Sequence, residues 1–267
     1  IGFLGTMGSD YYDYIFADKT MIPERSKKFY SENIIYLPSY QVNSDQEALS
    51  DTSFDKQHFS LPENSFVFCC FNNTYKLTPD VFDSWSRILQ QVEDSVLILY
   101  VDNEIAKTNL KEQITLRGID SERLIFGGRV GGSEYWSRYK VVDLFLDTFL
   151  YSACATASDA LRMGCPVLTF MGESFSSRFG GSLLTSLDLP ELITTSQAEY
   201  EERAVYLATH PEALSLLRAD LATNLVTKPL YNTEQFASSI ELAFMAAQDK
   251  LIKGEDKDDI YVEDLKS

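Results

Sequence analysis

Residues 65–71 read SFVFCCF, and the loop behind them reads Asn72-Asn73-Thr74-Tyr75-Lys76. An unbroken apolar run of this kind matches a strand buried on both faces, not the alternation of a half-exposed one. Similar runs return at 95–101 (SVLILYV), 123–126 (RLIF), 141–147 (VVDLFLD) and 166–170 (PVLTF), with a short sixth at 189–193. Between them, amphipathic stretches predict helices at 79–92, at 104–117 and from about Thr156 onward. Buried strands alternating with helices predict a parallel sheet covered on both faces, the Rossmann-like doubly wound α/β class. Further helices are expected at 197–209, 211–224 and 233–248.

The two ends read differently from this 61–252 lobe. Residues 1–60 are tyrosine-rich and punctuated by Pro23 and Pro38, and are expected to be an irregular lead-in packed on the sheet or on a partner domain. Residues 253–267 (KGEDKDDIYVEDLKS) are charge-rich and are expected to be a solvated acidic tail. The chain opens at Ile1 inside an apolar phrase, as a piece of a longer protein would.

Hydrophobic residues make up 45% of the 267 and charged residues 24%, which is ordinary for a chain with a real core. The formal charge of −17 repels polyanions, so nucleic acid and anionic membrane are disfavoured as partners. A nucleotide remains admissible, because one lysine and a helix N-terminus suffice to hold a diphosphate. The four cysteines show neither disulfide nor zinc spacing, which points to a reducing, cytoplasmic setting. His58 in a polar stretch and His210 before Pro211 fit surface and turn roles, so no histidine-based metal site is expected. No apolar run is long enough to span a membrane, and no signal peptide heads the chain.

In an open α/β sheet, ligands bind beyond the carboxyl ends of the strands, where the strand order reverses. The loops leaving the first and fourth strands therefore matter most. The second of these, residues 147–159 (DTFLYSACATASD), is rich in small residues and opens a helix whose first N–H groups would face an anion. Lys76 near the start of the first helix reads either as the cation that neutralises a departing diphosphate or as a solvated loop lysine; on position alone the two stand level. Asp159 reads as a ribose acceptor or as a first-turn acid favoured by the helix dipole. Residues 127–132 (GGRVGG) lack dinucleotide spacing and are expected to form a loop. Asp256-Lys257-Asp258 mimics a metal-binding Asp-x-Asp but follows no strand. Glu173 and Arg178 fit an ion pair across a helix start as well as a binding role.

Read together, these loops resemble the O-GlcNAc transferase and SPINDLY family. The resemblance is carried by Gly5-Thr6-Met7-Gly8, Asp13-Tyr14-Ile15, Ala17-Asp18, Ile22-Pro23 and Tyr30-Ser31-Glu32, then by Phe71-Asn72-Asn73-Thr74-Tyr75-Lys76. It continues through Leu146-Asp147-Thr148 and on to Asp159, Gly164-Cys165-Pro166-Val167-Leu168-Thr169, the stretch from Gly172 to Arg178, and Pro229-Leu230-Tyr231-Asn232-Thr233. It covers almost the whole chain except the tail, in the family's order. The resemblance implies the C-terminal lobe of a two-lobed GT-B glycosyltransferase, with the other catalytic lobe and an array of TPR repeats lying outside this sequence. It implies inverting, metal-independent transfer of N-acetylglucosamine from UDP-GlcNAc to Ser or Thr hydroxyls of acceptor proteins, with no cofactor. By resemblance Lys76 would hold the diphosphate and Asn73 would sit where a glutamine contacts it. Cys154, Ala155 and Thr156 would supply phosphate contacts, Asp159 the ribose contact, and Val130 backbone groups for the base, with Tyr135 and Arg138 nearby.

The departures are specific. Relatives often carry His-Thr-Thr where this chain has Cys154-Ala155-Thr156, a histidine at Tyr135 and a lysine at Gly132. Each lost side-chain hydrogen bond to a charged ligand would cost about 1.5–3 kcal/mol, whereas backbone N–H contacts survive any side-chain change. Two other readings follow from the departures: a degenerate nucleotide-binding or interaction module, and a GDP-sugar transferase of the SPINDLY branch. With acceptor-side groups on the other lobe, this chain alone is expected to be inactive. Sugar transfer to an acceptor protein by the isolated chain would contradict that expectation.

Overall fold

A computed structural model of the chain describes residues 5–40 and 53–263. The parts of the lead-in at 1–4 and 41–52, and of the tail at 264–267, lie outside the described residues. The apolar runs form β3 (Phe66–Cys70), β4 (Ser95–Tyr100), β5 (Leu124–Gly127), β6 (Leu144–Leu146), β7 (Val167–Phe170) and β8 (Ile193–Thr194). They make one six-stranded sheet in the order β5-β4-β3-β6-β7-β8, with every pair parallel. The chain lays down β3, adds β4 and β5 on one side, then crosses back to add β6, β7 and β8 on the other. This is the doubly wound order, and its switch point falls between β3 and β6.

Helices α1 (Pro79–Gln91), α2 (Glu104–Leu116), α4 (Ala155–Arg162), α6 (Gln197–Thr209) and α7 (Pro211–Thr227) fall where periodicity predicts them. Pro79 opens α1 because its missing N–H has no partner to lose there. The helix then buries Val81, Phe82, Trp85, Ile88 and Leu89 at helical spacing. Two short helices escape sequence reading: α3 (Gly132–Ser137) and α5 (Phe179–Ser186), the first inside a glycine-rich loop and the second apolar nearly all round. At Gly180, near the start of α5, a Cβ would lie 2.6 Å from Thr169 Oγ1 and 2.7 Å from Asp147 Oδ2. Only glycine lets that helix approach the strand ends so closely.

The ends of the chain differ from expectation. The lead-in contains β1 (Tyr14–Ala17) and β2 (Asn33–Tyr36), and residues of the tail form β9 (Ile260–Tyr261). These three pair in parallel as a second small sheet, β1-β2-β9. One face packs on α8 (Thr233–Lys253), where Ile35, Leu37, Ala243, Ile260 and Val262 share a core. The other face meets the large lobe through Met21, Ile22, Tyr36 and Phe179. Residues 253–258 of the tail are exposed, as expected, and charges at and beside it form ion pairs: Lys27 with Asp259 at 2.6 Å, Lys250 with Asp258 at 2.6 Å, and Lys257 with Asp13 at 2.5 Å. These strands lie outside the alternation of apolar runs and helices, and Ile34 N–H reaches Asp259 across 225 residues of sequence, which no local window spans.

A buried phenol on α6 ties α1 to the residue that follows β6. Trp85 Nε1 on α1 donates to Tyr200 Oη at 3.1 Å, and Tyr200 Oη donates to the carbonyl of Asp147 at 3.0 Å. Tyr200→Phe leaves a buried indole N–H and a buried carbonyl without that partner, and is expected to cost about 1–3 kcal/mol. Urea denaturation checks this; a variant as stable as wild type would show that the chain of bonds contributes nothing.

Candidate functional site

The site is built where β3 and β6 end. Asn72, directly beyond β3, is buried; its Nδ2 donates to Thr148 Oγ1 at 2.9 Å and to Asp147 Oδ1 at 3.3 Å. Its Oδ1 accepts from Thr156 Oγ1 at 2.6 Å, so one amide joins the β3 loop, the β6 loop and the start of α4. Asp147 is fully buried and organises the second loop. Its Oδ1 accepts the N–H groups of Thr148 and Ala153, each at 2.7 Å, and its Oδ2 accepts Thr169 Oγ1 at 2.8 Å. Burial pushes the carboxyl up to about 6, against the pull of these donors and of Lys76.

Lys76 ends a 3-10 turn, Thr74–Lys76, that Asn73 caps by accepting Tyr75 N–H at 3.4 Å. The ammonium donates to the carbonyl of Ser152 at 3.0 Å and lies 3.9 Å from the centre of the Tyr151 ring. Burial lowers its pKa, and Asp147 opposes that shift. Cys154 and Ala155 begin α4, and no side chain caps that end. By helix geometry the first N–H groups of α4 have no partner inside the helix. A lysine ammonium and a helix N-terminus are a chemical pair suited to a diphosphate.

On the other side of α4, a cleft of about 210 Å³ is lined by Phe71, Tyr100, Val130, Tyr135, Arg138 and Thr156, with Arg129 at its edge. The Arg138 guanidinium lies 4.1 Å from the Phe71 ring centre and 4.2 Å from that of Tyr135. Arg138 is 7% exposed, yet its Nε has no hydrogen-bond partner among the described residues. A buried N–H left unpaired is expensive, so this edge of the cleft is suited to an acceptor on a flat ligand. The Tyr135 phenol donates to Asp159 Oδ2, which ties α3 to α4.

The structure thus brings Lys76, Cys154, Ala155, Thr156, Asp159, Val130, Tyr135 and Arg138 to one end of the sheet, around α4. Asn73 is exposed, and its side chain is turned back onto its own turn. Glu173 and Arg178 do not pair with each other: Glu173 meets Arg25 at 3.0 Å, while Arg178 donates to the carbonyls of Thr20 at 2.5 Å and Gly172 at 2.8 Å. Sequence reasoning passes over the roles of Asn72 and Asp147. The one available signal is that each is a polar residue closing an apolar run. His58 bonds to Glu134 at 2.9 Å, and no helix of the described residues is long and apolar enough to cross a membrane.

The raised Asp147 pKa has a definite sign. Between the usual aspartate value of about 4 and about 6, the folded chain holds a proton that the unfolded chain has released. This contribution is therefore fully present below about pH 4 and is lost as pH rises through about 6, by up to about 3 kcal/mol. The stability of wild type relative to Asp147→Asn is expected to fall across that window in denaturant titrations at stepped pH. A difference that stays constant would mean that Asp147 titrates normally.

Comparison with known proteins agrees with the geometry. The sequence profile of glycosyl transferase family 41 matches residues 45–240. A probable UDP-N-acetylglucosamine–peptide N-acetylglucosaminyltransferase, SEC, of Arabidopsis thaliana is 32% identical over 251 residues, covering 91% of this chain and 26% of that protein. The Arabidopsis protein with the same description, SPINDLY, is 30% identical over 264 residues, covering 96% of this chain and 28% of its own length. The solved structure of a mutant O-GlcNAc transferase of Thermobaculum terrenum superposes with a TM-score of 0.75 at 26% identity, covering 90% of this chain and 46% of that one. The chain spans about a quarter of the length of these curated relatives. With a profile match across most of its length, the chain belongs to glycosyl transferase family 41.

Proposed function

We propose that this chain is the donor-binding lobe of a protein O-GlcNAc transferase, which moves N-acetylglucosamine from UDP-GlcNAc to Ser or Thr hydroxyls with inversion and without a metal. The observation that carries this reading is that Lys76 bonds to the Ser152 carbonyl, just before the start of α4, which no side chain caps, at the switch point. In the reaction an acceptor hydroxyl forms a bond to the anomeric carbon while the bond from that carbon to the β-phosphate oxygen breaks, leaving UDP with the electron pair. Lys76 and the α4 amides would neutralise the charge that grows on the departing diphosphate, a role worth about two to three orders of magnitude in rate. Lys76 would then stand in for a metal cation. Asp159 would take the ribose hydroxyls once they displace Tyr135, and Arg138 with the backbone at Val130 would receive the base. The backbone amides at Cys154 and Ala155 are unaffected by the loss of an imidazole and a hydroxyl from those side chains. The acceptor, and the group that takes its proton, would come from outside this chain, together with a second lobe and any TPR array.

A second reading has one observation in its favour. Gly132 has φ +56° and is exposed, and a Cβ there would meet nothing within 4 Å, so the start of α3, two residues beyond Val130 of the base cleft, is open to solvent. A larger purine would use that space, as a GDP-sugar donor requires.

Calorimetric titration of the chain with UDP, GDP and UDP-GlcNAc separates these readings. Saturable UDP binding is expected, and Lys76→Ala is expected to weaken it by about tenfold or more, as for other charge-assisted contacts. Binding of GDP in preference would move the donor to the purine branch. Failure to bind any of the three would overturn the nucleotide-sugar reading.

A further inference from the structure

The described residues also enclose a larger cavity than the α3 cleft. A second cleft of about 650 Å³ lies between the turn Glu24–Phe29 and the loop that follows β7, within the size range of ligand sites. Its wall is apolar, with Met21, Tyr30 and Phe175, and Phe29 stands at the mouth, 68% exposed. Its rim carries Arg25, Lys28 and Glu173. Arg25 and Glu173 pair at 3.0 Å, both well exposed. Lys28 has no carboxylate partner among the described residues; its ammonium lies 5.1 Å from the centre of the Phe29 ring. The rim is therefore a cationic point on a chain of net charge −17.

This cleft is joined to Lys76 through packed rings. Phe175 lies 6.2 Å from Phe179, Phe179 lies 6.2 Å from Tyr151, and Tyr151 underlies the Lys76 ammonium. The backbone makes the same connection: Ser152, whose carbonyl accepts from Lys76, donates its N–H to the carbonyl of Ser176 at 2.9 Å. The walls are held in place, because the buried Arg178 guanidinium bonds to the carbonyls of Thr20 on one side and Gly172 on the other. A rigid, apolar, cationic-rimmed cleft beside the leaving-group end of the site, and apart from the base cleft, suits the second substrate.

We propose that this cleft docks the acceptor polypeptide, as an extended segment that lays an apolar side chain against Met21 and Phe175 and an acidic residue against Lys28. The inference rests on the transferase reading and adds the acceptor class: acidic residues near the modified hydroxyl. In a chain this acidic, an unpaired rim lysine steers and selects anionic partners while the apolar wall supplies affinity.

The test is fluorescence anisotropy with two labelled peptides on the 267-residue chain. One peptide carries a serine flanked by leucine and glutamates; the other has lysines in place of the glutamates. The acidic peptide is expected to bind wild type more tightly, and Lys28→Glu is expected to weaken it by about tenfold and to invert the preference. Phe175→Ala is expected to weaken both peptides. Equal binding of the two peptides, a preference unchanged by Lys28→Glu, or no binding of either would overturn the proposal. UDP titration of the same samples keeps the two ideas apart. Lys28→Glu should leave UDP affinity unchanged, and absence of binding to UDP, GDP and UDP-GlcNAc alike would sink the transferase reading whatever the peptides do.

Discussion

The carboxylate of Asp147 sits where the sheet hands over to its loops, and the ligand-facing end of the molecule is arranged around it. A fully buried carboxylate is costly unless its lone pairs are taken up. Here two backbone N–H groups and the Thr169 hydroxyl take them, with Asn72 adding a longer contact. Those bonds fold residues 148–153 into a fixed loop, and that loop presents the Ser152 carbonyl to Lys76 and delivers the chain to the start of α4. The same residue is held from behind, since Tyr200 bonds to its main-chain carbonyl and α5 approaches through a glycine. Packing from the helical layers and hydrogen bonding in the loop thus act on one residue.

What this platform leaves incompletely used is also what gives it chemistry. The Lys76 ammonium is half-buried over a tyrosine ring, the first amides of α4 lack an intrahelical partner, and Arg138 keeps an unpaired Nε between aromatic rings. Each such group is held at a cost that a bound anion or planar base would relieve. Alignment of these three features at one end of the sheet, beyond the strands, is the structural content of the donor-site reading.

The second small sheet couples the lead-in and the tail to that end of the large sheet. Burial alone would depress the Lys27 pKa, but Asp259, Glu24 and Tyr261 raise it above the usual lysine value. That cluster pins the turn Glu24–Phe29 against the C-terminal strand, and Arg178 pins the neighbouring stretch against the loop after β7. The large cleft between turn and loop exists because both attachments hold. An acidic tail therefore contributes to structure next to the site, through its pairing with the chain's scarce cations.

The sheet, its helices and the position of the switch point were legible in the residues. Runs such as 65–71 and 95–101 are long, and the burial they imply is a property of each segment taken alone. The placement of Lys76, Thr156 and Asp159 beyond the strand ends was legible for a related reason, since the loops leaving parallel strands lie there. Other features were not: β1, β2 and β9 lie outside the strand–helix alternation of 61–252, and β2 meets β9 across more than two hundred positions. The roles of Asn72 and Asp147, the turning back of Asn73, the separate partners of Glu173 and Arg178, and the Phe175 cleft belong to the same group. The sequence by itself determined which segments are strands and helices, because local hydrophobic patterning is written in consecutive residues. Only the tertiary structure decided which polar side chains meet, because a hydrogen bond or ion pair depends on approach to within about 3 Å, and that distance is set by packing among segments far apart in the chain.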